Sequence, residues 1–323
     1  MVCLQECSRI RGLEVALMLR KLVIATVMAG VVGLAAFWLL TIPAEVPASA
    51  LKPYTPDLAN GRVMFYASGC AGCHATPGQE DKTRLGGGLA LKTPFGTFYV
   101  PNISPDPKDG IGEWREADFV TALWKGTSPR GQHYFPALPY TSYQHMKLED
   151  VRDLFAFIKT LPPVPGKVRD HDIMFPFNVR RGIGIWKLLF LDGEPFKPDP
   201  SKSAQWNRGA YLVNGPGHCG ECHSPRNVAG GIIMSQRLAG GPNPDGEGWI
   251  PNITQKGIGD WSEKDIVYML ETGMTPDGDS VGGAMTEVVR NCSQLSADEH
   301  TAIAVYLKSL PPVEGPPKPP KKG

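Results

Sequence analysis

Neither sign of charge dominates this 323-residue chain: 33 Lys and Arg face 32 Asp and Glu, leaving a net charge of +1. That balance offers neither the basic stripe of a nucleic-acid binder nor an acidic tail. Charged residues are few, at 20%. Cysteine is scarce outside two close pairs. Cys3 and Cys7 precede the first apolar run and Cys292 stands alone near the end, which argues against a disulfide framework. There is no nucleophile–base pair, phosphate loop or HExxH-type metal site. Glycine (37) and proline (31) are abundant instead, a mixture that predicts short helices tied by turn-rich loops. The length predicts about two domains, each able to bury a core.

The four paired cysteines carry the chemistry. Cys70-Ala71-Gly72-Cys73-His74 reads C-x-x-C-H, and Cys219-Gly220-Glu221-Cys222-His223 repeats it 149 residues later. With seven Cys and seven His in the chain, chance gives this pattern at about 1 in 10⁵ positions. Two thiols so spaced can each form a thioether to one porphyrin edge, and the adjacent His can then ligate the iron from below. Two covalently bound haem c groups follow, with Cys70, Cys73, Cys219 and Cys222 as attachment points and His74 and His223 as proximal ligands. The rival, a zinc site, would use both cysteine pairs jointly and has no need of a His after each.

Ahead of the motifs, Arg9, Arg11, Arg20 and Lys21 precede an uncharged run from Leu22 to Ile42. That run is long enough to cross a bilayer as a helix. A cleavable signal has a shorter apolar region, and its candidate cut site, Ala48-Ser49-Ala50, lies well past the run. The reading is therefore an uncleaved anchor within residues 1–43, with a cytoplasmic N-terminus and the remainder in the periplasm. Met18 offers an alternative start. Residues 44–56 form a Pro/Ala-rich tether, and Asp57 is the expected N-cap of a helix leading to the first motif. A hairpin is expected around Thr93–Tyr99, and helices at Glu116–Lys125 and Leu148–Thr160. The second half repeats this order, with helices at Trp206–Val213, Ser262–Thr272 and Ser296–Leu310. Pro101-Asn102-Ile103-Ser104 matches Pro251-Asn252-Ile253-Thr254, and Gly110-Ile-Gly-Glu-Trp114 matches Gly257-Ile-Gly-Asp-Trp261. This is an internal duplication. Its units are 57–164 and 202–314, joined by a linker at 165–201 and followed by a disordered tail at 315–323.

The halves differ in what faces the iron from the other side. A Met sulfur there raises the potential and suits electron transfer. Met285, in Gly283-Ala284-Met285-Thr286, lies where a distal loop is expected; Met274 competes with it, and Met269 reads as core. The 147-residue offset between Gly126 and Gly273 puts Leu138 opposite Met285, and leucine cannot ligate iron. For the first haem the alternatives are Met146, His133 or His145, or an open site. Cys292 reads as an apolar filler. Tyr66, Tyr99, Trp114, Trp124, Trp261 and Tyr268 read as core or haem-pocket aromatics, and Arg130 and Arg226 as candidate propionate partners.

With these residues in view, the chain resembles the multihaem cytochrome c subunits of membrane-bound alcohol and gluconate dehydrogenases. The resemblance rests on Trp206-Asn-Arg-Gly-Ala-Tyr-Leu-Val213, Gly217-His-Cys-Gly-Glu-Cys-His-Ser-Pro-Arg-Asn227, Pro136-Ala-Leu-Pro-Tyr-Thr-Ser-Tyr143 and Val288-Val-Arg-Asn-Cys-Ser-Gln-Leu295, and covers about residues 57–313. Those subunits commonly carry three haems and read Ala-Met-Pro-Tyr where this chain has Leu138. The expectation is a mainly α fold, two tandem class I cytochrome c-type haem domains after an N-terminal transmembrane helix. It would be a bacterial inner-membrane electron carrier, without a catalytic site of its own. The resemblance implies electron acceptance from a periplasmic or membrane dehydrogenase and delivery to a quinone- or oxidase-linked acceptor. The rival readings are a dihaem peroxidase or sulfur-compound dehydrogenase with haem 1 catalytic, and a haem-based sensor.

Overall fold

The computed structural model describes residues 2–244 and 248–318, with side chains of 2–13 and 15 outside the description. The last five residues of the expected tail, 319–323, also lie outside the described residues. Two units are distinct, residues 1–42 and 43–323. The first is one helix, α1 (Val2–Leu40), whose stretch Ala16–Leu40 is long and apolar enough to cross a membrane, with a mean hydropathy of 2.3.

The second unit is mainly helical. Its first half holds α2 (Leu58–Ala67), α3 (Cys70–His74), α4 (Glu116–Lys125), α5 (Tyr140–Tyr143) and α6 (Leu148–Ile158). Then come α7 (Ile183–Phe190), α8 (Ala204–Asn214), α9 (Gly220–His223), α10 (Gln255–Ile258), α11 (Glu263–Thr272), α12 (Met285–Cys292) and α13 (Ala297–Ser309). The expected hairpin forms as β1 (Ala90–Thr93) and β2 (Gly96–Tyr99), antiparallel with Ala90 opposite Tyr99. The linker between the halves carries secondary structure of its own. It adds β3 (Asp172–Ile173) to the hairpin's edge and supplies α7. A second ribbon pairs β4 (Gly241–Pro242) with β5 (Trp249–Ile250).

Local chemistry accounts for the helix ends. Asp57 accepts from the amides of Ala59 and Asn60 and starts α2. Ser203, Ser262 and Ser296 cap α8, α11 and α13 in the same way. Gly126 and Gly273, both left-handed, end α4 and α11. On α6, Val151, Leu154, Phe155 and Ile158 form a buried stripe; on α13, His300, Ile303, Ala304 and Leu307 repeat it at the same spacing.

Those stripes build two apolar clusters. α2 packs on α6 around Met64, Phe65, Leu154 and Ile158, and α8 packs on α13 around Leu212, Ile266, Ile303 and Leu307. Each crossing is closed by a glycine. A Cβ on Gly61 would stand 2.2 Å from the Asp153 carbonyl oxygen, and one on Gly209 would stand 1.9 Å from that of Ala302. Gly61→Ala and Gly209→Ala are therefore expected to destabilise the fold by at least about 1–3 kcal/mol each. Thermal unfolding followed by circular dichroism checks this; unchanged midpoints would mean the helices cross elsewhere.

Candidate functional site

Each C-x-x-C-H stretch is a short helix docked beside the first helix of its half. A left-handed residue makes the turn into it. In the first half this is Gly69, at φ +58°. In the second it is His218, at φ +38°, a conformation that costs a residue with a side chain about 1–2 kcal/mol. Cys70 and Cys219 are half-buried, whereas Cys73 and Cys222 are exposed. Burial pushes the Cys70 thiol up to about 12 and the Cys219 thiol to about 11, so both are protonated at neutral pH.

The two histidines are held identically. His74 Nδ1 lies 2.8 Å from the Pro101 carbonyl oxygen, and His223 Nδ1 lies 2.8 Å from that of Pro251. A carbonyl only accepts, so Nδ1 carries the proton and donates it, which leaves the Nε2 lone pair for a metal. Burial keeps both rings neutral, lowering His74 to about 4 and His223 in the same direction. Behind each ring the backbone closes the same way: Gly87 donates to the His74 carbonyl and Gly240 to that of His223, both at 2.8 Å. Both glycines are left-handed, and a Cβ on either would strike backbone within 2.6 Å, that of Val100 and Pro101 for Gly87 and that of Ile250 for Gly240. Asn102 and Asn252 then donate to the Val164 and Val313 carbonyls, tying each Pro-bearing loop to its half's last segment. A thiol pair with an imidazole of fixed tautomer beside it is the donor set that covalent haem requires. Among the described residues, no three His, Cys, Asp or Glu side chains converge on a common metal position, so the joint zinc site has no geometric support.

The fold brings the motifs against each other's halves. Glu221, at the centre of the second motif, accepts from Thr141 Oγ1 (2.7 Å) and Ser142 Oγ (2.8 Å) on α5. Reciprocally, α12 lies over the first motif, with Glu287 Cβ 3.3 Å from where a Gly72 Cβ would be. The motifs also meet directly. His218 Nε2 lies 3.3 Å from the Ser68 carbonyl oxygen, and Tyr143 donates to that oxygen while its ring meets His218 edge-on at 5.6 Å. Ser68 is two residues from Cys70, and His218 is next to Cys219. Local sequence gave no sign of this junction.

Arg226, a candidate propionate partner, instead pairs with Glu221 at 2.7 Å. Burial works to raise the Glu221 carboxyl, but Arg226 and the two hydroxyls hold it below its ordinary range. Sequence reasoning passed over Arg237, whose guanidinium lies 2.9 Å from where a Gly220 Cβ would be. The signal was present in the repeat Arg84-Leu85-Gly86-Gly87 and Arg237-Leu238-Ala239-Gly240. Arg130 is exposed.

The methionines occupy different places. Met146 is fully buried in the first core with Ala71 and Tyr143, and Cys70 packs on the same cluster. Its counterpart is Leu295, since Met146 donates to Tyr143 and Leu295 to Cys292 immediately before the last helices. Met285 is half-buried and is the first residue of α12, not part of a loop. The bridges Thr127–His133 and Met274–Ser280 keep the 147-residue offset. The bonds Gln144–Tyr140 and Ser293–Val289 are already at 149. Two extra residues in the second half therefore precede α12, and Leu138 falls opposite Glu287 rather than Met285. Leu138 packs against the first core. His133 is buried in a turn, and His145 Nδ1 bonds the Glu194 carbonyl at 2.6 Å. Met269 borders the second core as expected, Met274 is 37% exposed, and Cys292 packs on the second core with its thiol pushed up to about 12 by burial. Tyr66, Trp114, Trp124 and Trp261 border the cores, but Tyr268 is exposed, contrary to expectation.

Residues 58–162 match the model of the family described as "Cytochrome c". Over 299 residues the chain is 48% identical to the "Diheme cytochrome c-type" protein of Cereibacter sphaeroides, covering 92% of this chain and all of that relative. It is 38% identical over 290 residues to the "Alcohol dehydrogenase (quinone), cytochrome c subunit" of Gluconacetobacter polyoxogenes (83% and 59% of the two chains). It is 37% identical over 267 residues to the "Gluconate 2-dehydrogenase cytochrome c subunit" of Pantoea cypripedii (77% and 58%). The chain thus spans somewhat over half the length of those dehydrogenase subunits.

Proposed function

Because the chain belongs to the cytochrome c family and carries covalently bound haem c, we propose that it is a dihaem relay of single electrons, held at the inner membrane by α1 and facing the periplasm. The donor is a periplasmic or membrane dehydrogenase, and the acceptor is quinone- or oxidase-linked. The haem domains are 57–164 and 202–314, with 44–56 and 165–201 as tether and linker. The observation that carries this reading is the twofold His–Pro hydrogen bond beside a cysteine pair, once in each half. Similarity to subunits named for alcohol and gluconate dehydrogenases supports a dehydrogenase as partner.

A bound haem iron supplies a one-electron couple. The chain's residues do the rest. Cys70 with Cys73, and Cys219 with Cys222, would each hold one porphyrin covalently. Pro101 and Pro251 hold the imidazoles of His74 and His223 in the Nδ1–H form, so that Nε2 is always the donor. Met285 and Met146 would be the second, sulfur donors, one for each haem. The apolar clusters pack behind Cys70 and Cys219, and the Ser68–His218 contact keeps the two motifs adjacent. The full-length protein is expected to show two haems per chain in an alkaline pyridine assay and a Met-to-iron charge-transfer band of two-haem intensity, and not to bind CO when reduced. A high-spin component that binds CO or peroxide would replace the relay by a dihaem enzyme.

A further inference from the structure

Seven large apolar side chains stand exposed on the segment between the halves. Met174, Phe175, Phe177 and Val179 lie on the loop after β3, and Ile185, Leu188 and Leu189 lie on α7. Phe175 is 80% exposed, Leu188 58% and Leu189 68%. On α7 the three exposed residues fall at i, i+3 and i+4, one side of the helix. The opposite side is locked down. Trp186 donates to the Ala229 carbonyl, and its ring meets Tyr140 and Phe190. Lys187 is buried and places its ammonium on the Lys125 and Gly126 carbonyls, 2.6 and 2.7 Å away, at the C-terminal end of α4. The apolar stripe therefore cannot roll inward. A continuous exposed apolar face on a fixed helix marks an interaction surface.

Where the chain enters this unit says what covers that face. The Val46 amide donates to Thr121 Oγ1 on α4, about 6 Å along the helix from Lys125. Glu45 Oε1 lies 3.7 Å from a Gly131 Cβ position, and Arg180 reaches the His133 carbonyl two residues further on. The entry point and the apolar segment thus grip the same piece of structure, the end of α4 and the turn after it. Covalent geometry alone allows the six residues from Leu40 to Val46 no more than about 20 Å. Any bilayer crossed by Ala16–Leu40 therefore lies within that reach of Val46, which is pinned to α4. An apolar helix face of this kind, with aromatic residues beside it, suits the boundary between headgroups and acyl chains.

We propose that the outer face of α7, with Phe175 and Phe177, rests in the lipid headgroup–acyl boundary of the membrane that holds α1. This rests on the reading of α1 as an anchor. It makes the segment a second, peripheral membrane contact that fixes the orientation of the haem-bearing unit. The test uses the full-length haem-loaded protein in phosphatidylcholine vesicles containing a diazirine-bearing phospholipid, with photolabelled peptides located by mass spectrometry. Label is expected in both 16–40 and 174–190. In the L188E/L189E variant, label in 183–190 is expected to fall about tenfold, while label in 16–40 and the visible spectrum stay unchanged. Label confined to 16–40 would overturn the proposal, leave the anchor standing and assign the face to a protein partner. Label in 174–190 but not in 16–40 would support the lipid contact while removing the anchor.

Discussion

A chain with Cys70→Ser and Cys73→Ser is expected to carry one covalently bound haem instead of two, and the Cys219→Ser, Cys222→Ser chain the other one. Serine hydroxyls cannot form the thioether bonds. The two halves hold separate C-x-x-C-H motifs, each with its own imidazole and its own Pro carbonyl, so attachment at one is expected not to require thiols at the other. Stability is expected to follow a different rule. Ala71 and Met146 share one buried cluster on which Cys70 packs, so a missing porphyrin leaves that cluster short of apolar contacts. The Ser68–His218 and Glu221–Thr141 contacts then carry the loss across to the other half. Each double variant is therefore expected to unfold at a lower temperature in a single transition. The pyridine assay per chain, haem staining after denaturing electrophoresis and a thermal scan read these outcomes. Loss of both haems from one double variant would show that the sites are interdependent. Retention of both would remove the motifs from attachment altogether.

What was legible beforehand follows from the range of the interactions. The two motifs, the Asp57 cap, the hairpin at 90–99 and the six longer helices α2, α4, α6, α8, α11 and α13 are each written within about a dozen residues, by spacing, capping groups and 3.6-residue periodicity. The duplication was legible because both halves keep the same landmarks, and the paired hydrogen bonds of Asn102 and Asn252 or of Gly87 and Gly240 now give those landmarks their purpose. The contacts between halves were not legible. Thr141 and Glu221 are 80 residues apart, and Ser68 and His218 are 150 apart; no local pattern marks them. His218 stands where the first half uses Gly69, and only the backbone angle reveals that a bulky residue occupies a glycine's place. Such strain persists where its surroundings hold it, here Ser68 and Tyr143. α7 and α12 are eight residues each, too short for periodicity to separate them from loop. That brevity is why Met285 was expected in a loop and why the two-residue shift ahead of α12 went unseen.

That shift sets the terms for the methionines, where the second large effect is expected. Met146 and Leu295 occupy the same place in the two halves, while Met285 opens α12 just after the two extra residues of the second half. The halves therefore present sulfur from different positions, and the two substitutions should act differently. Met285→Ala removes a half-buried side chain at a helix start, so the fold is expected to hold. About half of the Met-to-iron charge-transfer intensity should disappear. One midpoint potential should fall by some tenths of a volt, inside the roughly 0.8 V range that axial ligation spans. Met146→Ala would confound sulfur loss with a core cavity costing about 2–5 kcal/mol. Met146→Leu avoids this, because leucine conserves volume at a cost below about 1.5 kcal/mol and already serves at Leu295. In Met146→Leu the remaining half of the band is expected to go, and the reduced protein should bind CO at one haem. Redox titration with visible and near-infrared spectra reads both variants. If Met146→Leu leaves spectrum and potentials unchanged, Met146 is core alone and the first haem takes its sixth ligand elsewhere. A CO-binding haem already present in the unsubstituted protein would instead make that first site open, the condition under which it does chemistry rather than relay.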